Sequence, residues 1–283
     1  MTETIVTASR LLAQAAEQLR AAGIEAPRLT ARRLWSELQQ GATLLALLAD
    51  DVEVSPDDVA RLSGWVERLA AGEPLAYVTG WTGFRHLRLR CDRRALIPRP
   101  ETEGLVELAL ERVPSGTAAD IGTGSGAIAL SLREEGAFDR VIGVDCSADA
   151  LALARENGEA LDLAVDWRLG DLLGPVKEPL DLLVANPPYL TSEEYAILDP
   201  SVRDYEPRMA LPSGEDGLEA TRRLLDEGKS VVREGGWIAL ELDCRRAAAT
   251  AALAEGLGWR EVLVQDDLFG RARYLLARRG STG

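Results

Sequence analysis

The fold of this 283-residue chain is decided by the stretch Ala118-Ala119-Asp120-Ile121-Gly122-Thr123-Gly124-Ser125-Gly126. The apolar residues before the first glycine predict a strand, and the apolar run 127–132 that follows predicts a helix. The glycines permit the sharp turn between the two and let the backbone approach a bound nucleotide-like molecule. Because a glycine-rich turn is a weak signal alone, neighbouring features must decide what it binds.

Acidic residues follow two later predicted strands. The run 141–145 predicts a strand that ends in Asp145, whose carboxylate can accept hydrogen bonds from both hydroxyls of a ribose. A nicotinamide cofactor would be served equally well by this pairing. However, Asp120 precedes the first glycine, and the loop lacks the dinucleotide spacing G-x-G-x-x-G. Asp171 lies just after another predicted strand and could accept a hydrogen bond from an adenine amine.

The reaction is predicted to occur at Asn186-Pro187-Pro188-Tyr189, directly after the apolar run 180–185. Proline fixes its own φ and favours extended geometry in the residue before it, so this turn cannot wind into a helix. The amide oxygen of Asn186 and a neighbouring backbone carbonyl could then accept both hydrogens of a planar NH2 group. Asn-Pro alone is more often simple turn punctuation. In company with the glycine turn and the acids, it describes a pocket for S-adenosylmethionine.

Residues 1–75 predict a small helical bundle, because apolar residues recur at helical spacing up to stops at Gly23, Gly41 and Gly72. The bundle carries no obvious catalytic residue, so its expected role is substrate recognition. Residues 76–97 predict a β-hairpin connector with extended runs at 77–79 and 87–90.

Residues 98–283 alternate between strand and helix patterns, which predicts an α/β domain with a parallel sheet covered by helices on both faces. The last two strands are joined by the short loop 266–270, so they are expected to be antiparallel. Ligands of such sheets bind beyond the carboxyl ends of the strands, where the glycine turn, Asp145, Asp171 and Asn186 all fall.

Composition argues against several classes of protein. A net charge of −14 disfavours a protein that coats a phosphate backbone, so direct nucleic-acid binding is not expected. Three cysteines without a C-x-x-C pair and a single histidine predict neither a metal site nor a disulfide framework. Without a basic leader or an apolar stretch of ~20 residues, the chain is predicted to be cytoplasmic and free of membrane contact.

The arginine-rich segment 85–99 is the exception to the acidic balance of the chain. Most runs of this kind are solvated strand faces, and a contact with RNA or with an acidic partner is the alternative.

Five segments together resemble the peptide chain release factor glutamine methyltransferases, the PrmC/HemK family. They are residues 72–75, the Ile-Pro-Arg-Pro-Glu-Thr-Glu stretch at 97–103, and residues 120–126, 186–189 and 205–207. The resemblance covers nearly the whole chain and implies a Rossmann-like class I methyltransferase domain. It also implies methyl transfer from S-adenosylmethionine to the side-chain nitrogen of the glutamine in the Gly-Gly-Gln loop of class 1 release factors.

The same resemblance implies roles for individual residues. It implies that the methionine part of the cofactor is contacted by Gly122, Thr123, Gly124, Ser125 and Gly126. Its ribose would contact Asp145, and its adenine would lie beside Asp171 and Leu172. The glutamine amide is held by Asn186, Pro187, Pro188 and Tyr189. The chain departs from the family at 241–244, which lacks the usual glycine, and at the loose match 266–270. Both departures concern the outer wall of the cofactor site.

An amide nitrogen is a poor nucleophile, so the two acceptors are expected to orient it and to stabilise the positive charge that grows on it. Positioning of this kind can supply ~7–11 kcal/mol without a strong base. Three alternatives stay open: a glutamine methyltransferase of a ribosomal protein, a nucleic-acid adenine or cytosine amino methyltransferase, and a non-enzymatic docking module. The acidic charge and the helical module count against the nucleic-acid substrate.

Overall fold

The computed structural model describes residues 7–39 and 53–280. The chain forms two compact units: Met1–Gly80 with Pro200–Tyr205, and Trp81–Asp199 with Glu206–Gly283. Within the described ranges, no helix combines the length and the apolar character that crossing a bilayer requires.

The first unit is built from helices, as the periodicity of the sequence predicts. Its elements are α1 (Ala8–Ala21), α2 (Pro27–Leu38), α3 (Pro56–Ala70) and the short α4 (Leu75–Thr79), with α9 (Pro200–Arg203) contributed from later in the chain. Leu19, Leu34 and Leu62 are fully buried at its centre. The α3 helix begins at Pro56, and the Ser55 hydroxyl caps it by accepting a hydrogen bond from the backbone N–H of Asp58 at 3.1 Å. The helix stop predicted at Gly41 lies outside the described residues.

The extended run predicted at 77–79 is wrong, since these residues belong to α4. Backbone N–H groups of Tyr77 and Val78 both donate to the carbonyl of Pro74 at 3.0 Å. The Arg68 guanidinium of α3 donates to the carbonyls of Tyr77 at 2.9 Å and Val78 at 3.1 Å. Because a guanidinium on another helix satisfies these backbone carbonyls, strand propensity at 77–79 does not decide the conformation. The helix then ends at Gly80, whose φ is 81°.

The second unit opens with an antiparallel hairpin, β1 (Trp81–Phe84) and β2 (Leu87–Arg90), so the strand predicted at 87–90 is confirmed. A seven-stranded sheet follows with the order β5-β4-β3-β6-β7-β9-β8. Its strands are β3 (Ser115–Ile121), β4 (Ala137–Asp145), β5 (Asp166–Leu169), β6 (Leu180–Ala185), β7 (Val232–Glu241), β8 (Trp259–Asp266) and β9 (Ala272–Arg279). Pairing is parallel from β5 to β7, and β9 runs antiparallel to both β7 and β8. The predicted α/β architecture with an antiparallel last strand is confirmed.

Helices cover both faces of this sheet because neighbouring residues of each central strand point to opposite sides. The helices of this unit are α5 (Pro100–Arg112), α6 (Ala127–Glu135), α7 (Ala148–Leu161), α8 (Ser192–Ala196), α10 (Glu219–Val231) and α11 (Ala247–Gly256). In β3, Ala118 packs into the apolar layer of α5 and α6, whereas Ala119 packs into that of α10 and α11. The carboxyl ends of β3, β4, β5, β6 and β7 therefore meet along one edge.

Candidate active site

A cavity of about 340 Å³ lies at the carboxyl edge of the parallel strands. It brings together these residues that the sequence analysis assigned to the site: Gly122, Gly124, Asp145, Asp171, Leu172, Asn186 and Pro188. The other assigned residues lie outside its lining: Thr123, Ser125, Gly126, Pro187 and Tyr189. The wall is completed by segments to which the sequence analysis gave no contact, 94–96 and 207–214 among them.

The glycine turn after β3 has the geometry that only glycine adopts without strain, since Gly122, Gly124 and Gly126 have φ values of 75°, 57° and 85°. Asp120, the residue two positions before Gly122, stabilises the turn. Its carboxyl group accepts hydrogen bonds from the Thr123 hydroxyl at 2.5 Å and from the Ala129 backbone N–H at 3.1 Å. Burial of the whole side chain raises the pKa of Asp120 to about 7. Thr123 therefore stabilises the turn through its hydrogen bond to the buried Asp120.

Asp145 ends β4 and presents its carboxylate to the cavity. Its Oδ2 accepts from the Gly124 N–H at 2.8 Å and its Oδ1 from the Ser147 N–H at 2.9 Å. Because each carboxylate oxygen can accept more than one hydrogen bond, both remain able to receive a ribose hydroxyl. The two backbone contacts fix the orientation in which the carboxylate would meet that ligand.

Asp171 lines the same cavity, but its carboxylate is already engaged. Its Oδ2 accepts a hydrogen bond from the Arg223 guanidinium at 2.8 Å, and its side chain is largely exposed. An adenine amine would share this carboxylate with Arg223, a residue of α10 that the sequence analysis did not connect with the site. Leu172 stands beside it with a φ of 43°, the left-handed region that a branched side chain rarely adopts.

The Asn186 side chain is held by a buried pair of residues from two other elements. Its Nδ2 donates to the Thr102 hydroxyl at 3.1 Å, and that hydroxyl donates to Glu241 Oε2 at 2.6 Å. Thr102 and Glu241 are only 5% and 2% exposed. Burial is the main cause that raises the pKa of Glu241 to about 7. The sequence analysis quoted Thr102 within the stretch 97–103 but gave it no role.

Tyr189 is unsuited to act as a base. Burial, and then the charge of Glu241, raise the pKa of its phenol to about 12, so it stays protonated at neutral pH.

Glu206 has a structural role: its buried carboxylate accepts from the Ile97 N–H at 3.2 Å and from the Arg99 guanidinium at 2.5 Å. It thereby ties the segment before α5 in place.

Most of the arginines in the 85–99 segment have partners within the protein. Arg85 pairs with Glu135 at 2.6 Å, Arg94 with Asp92 and Glu156, and Arg99 with Glu206. The guanidinium groups of Arg88 and Arg90 lie over the Trp81 ring, 4.5 and 5.5 Å from its centroid. This charge is largely balanced on the molecule itself.

S-adenosylmethionine fits what the cavity offers. A glycine turn at the start of α6 lies beside the Asp145 carboxylate, which could accept hydrogen bonds from a ribose, and the Asn186 amide lines the same space. The backbone at Gly122 leaves room for a ligand, because a Cβ added there would meet nothing within 4 Å.

Comparison with known proteins shows the family to which this chain belongs. The PrmC N-terminal domain family matches residues 10–80, and the methyltransferase small domain family matches residues 101–202. A release factor glutamine methyltransferase of Deinococcus radiodurans is 42% identical over 272 residues, which cover 95% of this chain and 97% of the relative. One of Moorella thermoacetica is also 42% identical, over 97% of this chain and 99% of the relative.

Among solved structures, a methyltransferase from Pyrococcus furiosus has the same fold, with a TM-score of 0.54 and 20% identity over 69% of this chain and 90% of its own. The sheet described above is therefore that of the S-adenosylmethionine-dependent methyltransferases. Because these relatives match the chain over nearly their full length, the chain belongs to the release factor glutamine methyltransferase family.

Proposed function

We propose that this protein methylates the side-chain amide nitrogen of the glutamine in the Gly-Gly-Gln loop of class 1 peptide chain release factors, using S-adenosylmethionine. The observation that carries the proposal is the state of the Asn186 amide. Its donor end is occupied by Thr102, while among the described residues its oxygen accepts no hydrogen bond. Asn186 therefore offers the cavity an acceptor, which is what a substrate NH2 group needs.

S-adenosylmethionine supplies an electrophilic methyl group on its sulfonium. The task of the protein is to present a nitrogen whose lone pair is delocalised into a carbonyl. Asn186 Oδ1 and the backbone carbonyl of Pro187, a residue outside the lining but between the lining residues Asn186 and Pro188, accept the two hydrogens of the substrate amide and hold it in one orientation. Both acceptors also stabilise the positive charge that develops on the nitrogen, an effect larger in the transition state than in the ground state. The new N–C bond would replace the bond between the methyl carbon and sulfur, so that S-adenosylhomocysteine leaves as a neutral thioether. One amide proton would pass to solvent, because the protonated Tyr189 cannot accept it.

The release factor is favoured over nucleic acid by the charge of the chain. A net charge of −14 repels a phosphate backbone, and the arginines of the 85–99 segment have internal partners. We assign substrate recognition to residues 1–75, the connection to residues 76–97, and catalysis to residues 98–283. The cytoplasm, where translation ends, is the compartment in which this reaction would occur.

The test is to incubate the protein with methyl-labelled S-adenosylmethionine and a purified class 1 release factor. Mass analysis of the Gly-Gly-Gln peptide should show one added methyl group on the glutamine side chain. A release factor with alanine in place of that glutamine is the matched control and should take up no label. Parallel incubations contain ribosomal proteins or RNA. Label confined to a ribosomal protein or to RNA would overturn the assignment.

A further inference from the structure

Three side chains, from three separate elements, form one hydrogen-bonded row that ends at the cavity. Glu241 stands at the end of β7, Thr102 in the first turns of α5, and Asn186 at the turn after β6. The separations along the row are 2.6 Å from Thr102 to Glu241 and 3.1 Å from Asn186 to Thr102. The inner two residues are almost completely buried, so no bulk water competes with these bonds.

The row has a direction because a hydroxyl has a single proton. When Glu241 is ionised, its carboxylate can only accept, so the Thr102 proton is then committed to Glu241. Thr102 can then only accept from Asn186, and of the two ends of an amide only the NH2 group can donate. The oxygen of Asn186 is thereby left for a ligand.

We propose that Thr102 and Glu241 are positioning residues that hold the Asn186 amide with its oxygen towards the substrate. The inference rests on the proposed function, since it concerns the acceptor that meets the substrate NH2 group. Without the row, the amide of Asn186 could rotate by half a turn and present NH2 to NH2, which repels the substrate instead of binding it. The two ends of an amide are similar in size, so shape alone cannot prevent this rotation.

The activity test compares Thr102→Val, which removes the hydroxyl at nearly constant shape, with Thr102→Ser, which keeps the hydroxyl and removes a methyl group. Kinetics are measured with a Gly-Gly-Gln substrate, and S-adenosylmethionine affinity by calorimetry. We expect Thr102→Val to lower kcat/KM by about tenfold or more, the effect of one misplaced polar contact. Cofactor affinity should stay within about twofold of the parent. The serine variant should stay within about threefold of the parent in kcat/KM.

A second measurement reads the amide directly. Asn157 and Asn186 are the two asparagines of the chain, so nitrogen-15 labelling of asparagine gives only two side-chain NH2 signals. Asn157 serves as an internal reference, because it donates to the carbonyls of Ser125 at 2.9 Å and Arg90 at 3.2 Å, away from the row. In Thr102→Val we expect the Asn186 signal to shift and to exchange faster with solvent, while the Asn157 signal stays unchanged.

The outcomes separate the row from the assignment of the substrate. An unchanged Asn186 signal in Thr102→Val would overturn the proposal, as would a serine variant as impaired as the valine variant. A variant that loses both asparagine signals has lost its fold, in which case Thr102→Ser and Glu241→Gln decide through the same Asn186 signal. If the parent protein methylates no Gly-Gly-Gln substrate, the proposed function fails, whereas the amide spectrum still tests the row.

Discussion

Glu241 provides the sharpest physical test of the site, because burial gives its carboxyl group a pKa of about 7 in place of the ordinary 4.5. A folded-state pKa above the unfolded value means that the folded protein binds the proton more tightly. The resulting stability is fully present below about pH 4.5 and is lost as the pH rises to about 7. At about 1.4 kcal/mol for each tenfold change in proton affinity, the whole effect is about 3 kcal/mol.

The perturbation is Glu241→Gln, which keeps the shape and removes the titration. We expect the free energy of unfolding of this variant, relative to the parent, to rise by about 2 to 3 kcal/mol between about pH 5 and about pH 8. Urea denaturation at several pH values measures it. Asp120, whose pKa is also raised to about 7, is common to both proteins and cancels.

The groups that face Glu241 set the size of this effect. Burial, the largest cause, and the nearby Glu101 raise its pKa, while Thr102, Arg273 and Arg99 lower it. Glu255→Gln, at an exposed position on α11, is the matched control for replacing a glutamate by a glutamine. A stability difference for Glu241→Gln that does not vary with pH across this range would refute the reasoning, since it would mean that the carboxylate is ionised at no cost.

Further predictions concern the ligand contacts and the packing behind them. Asn186→Ala should reduce methyl transfer by ~100-fold or more with S-adenosylmethionine affinity retained, because the lost acceptor acts on charge in the transition state; undiminished transfer of label would remove Asn186 from the mechanism. Asp145→Ala should raise the Kd for S-adenosylmethionine by about tenfold or more, measured by calorimetry, and an unchanged Kd would exclude the ribose contact. Gly143→Ala should lower the free energy of unfolding by ~1–3 kcal/mol in urea denaturation, because its Cβ would lie 2.4 Å from the Trp167 ring. Gly83→Ala, also in a strand but with nothing within 4 Å, is its control, and equal stability of the two variants would contradict the packing account.

The sheet could be predicted from the sequence because its causes are local. The central strands are rich in apolar residues, and the carboxyl end of each is marked by a glycine, an asparagine or an acidic residue. The short loop after β8 leaves only an antiparallel return. The same reasoning failed at 77–79, where the deciding contact is the Arg68 guanidinium on another helix.

The site could be predicted only in part, for the same reason. Residues that follow a strand, such as Asp145 and Asn186, can be placed from the pattern, because carboxyl ends of parallel strands share an edge. The hydrogen-bond partners of these residues cannot be placed from the pattern. Thr102 lies 84 positions from Asn186 and 139 from Glu241, and no periodicity joins such residues. The pairing of Asp171 with Arg223, 52 positions away, was hidden in the same way.

Ionisation of Glu241 lowers the stability of the fold as the pH rises to neutral, and the same charge orients the Asn186 amide. A buried carboxylate is unfavourable, and an uncharged side chain of the same shape would leave the fold more stable. A glutamine at this position, however, could offer Thr102 either a donor or an acceptor, so it would not fix the direction of the hydroxyl proton. The ionised form of Glu241 accepts and never donates, and it is this form that makes Asn186 turn its NH2 group inward. The fold is thus less stable because the Glu241 charge is buried, and this charge is the physical condition for a single orientation of the Asn186 amide that meets the substrate.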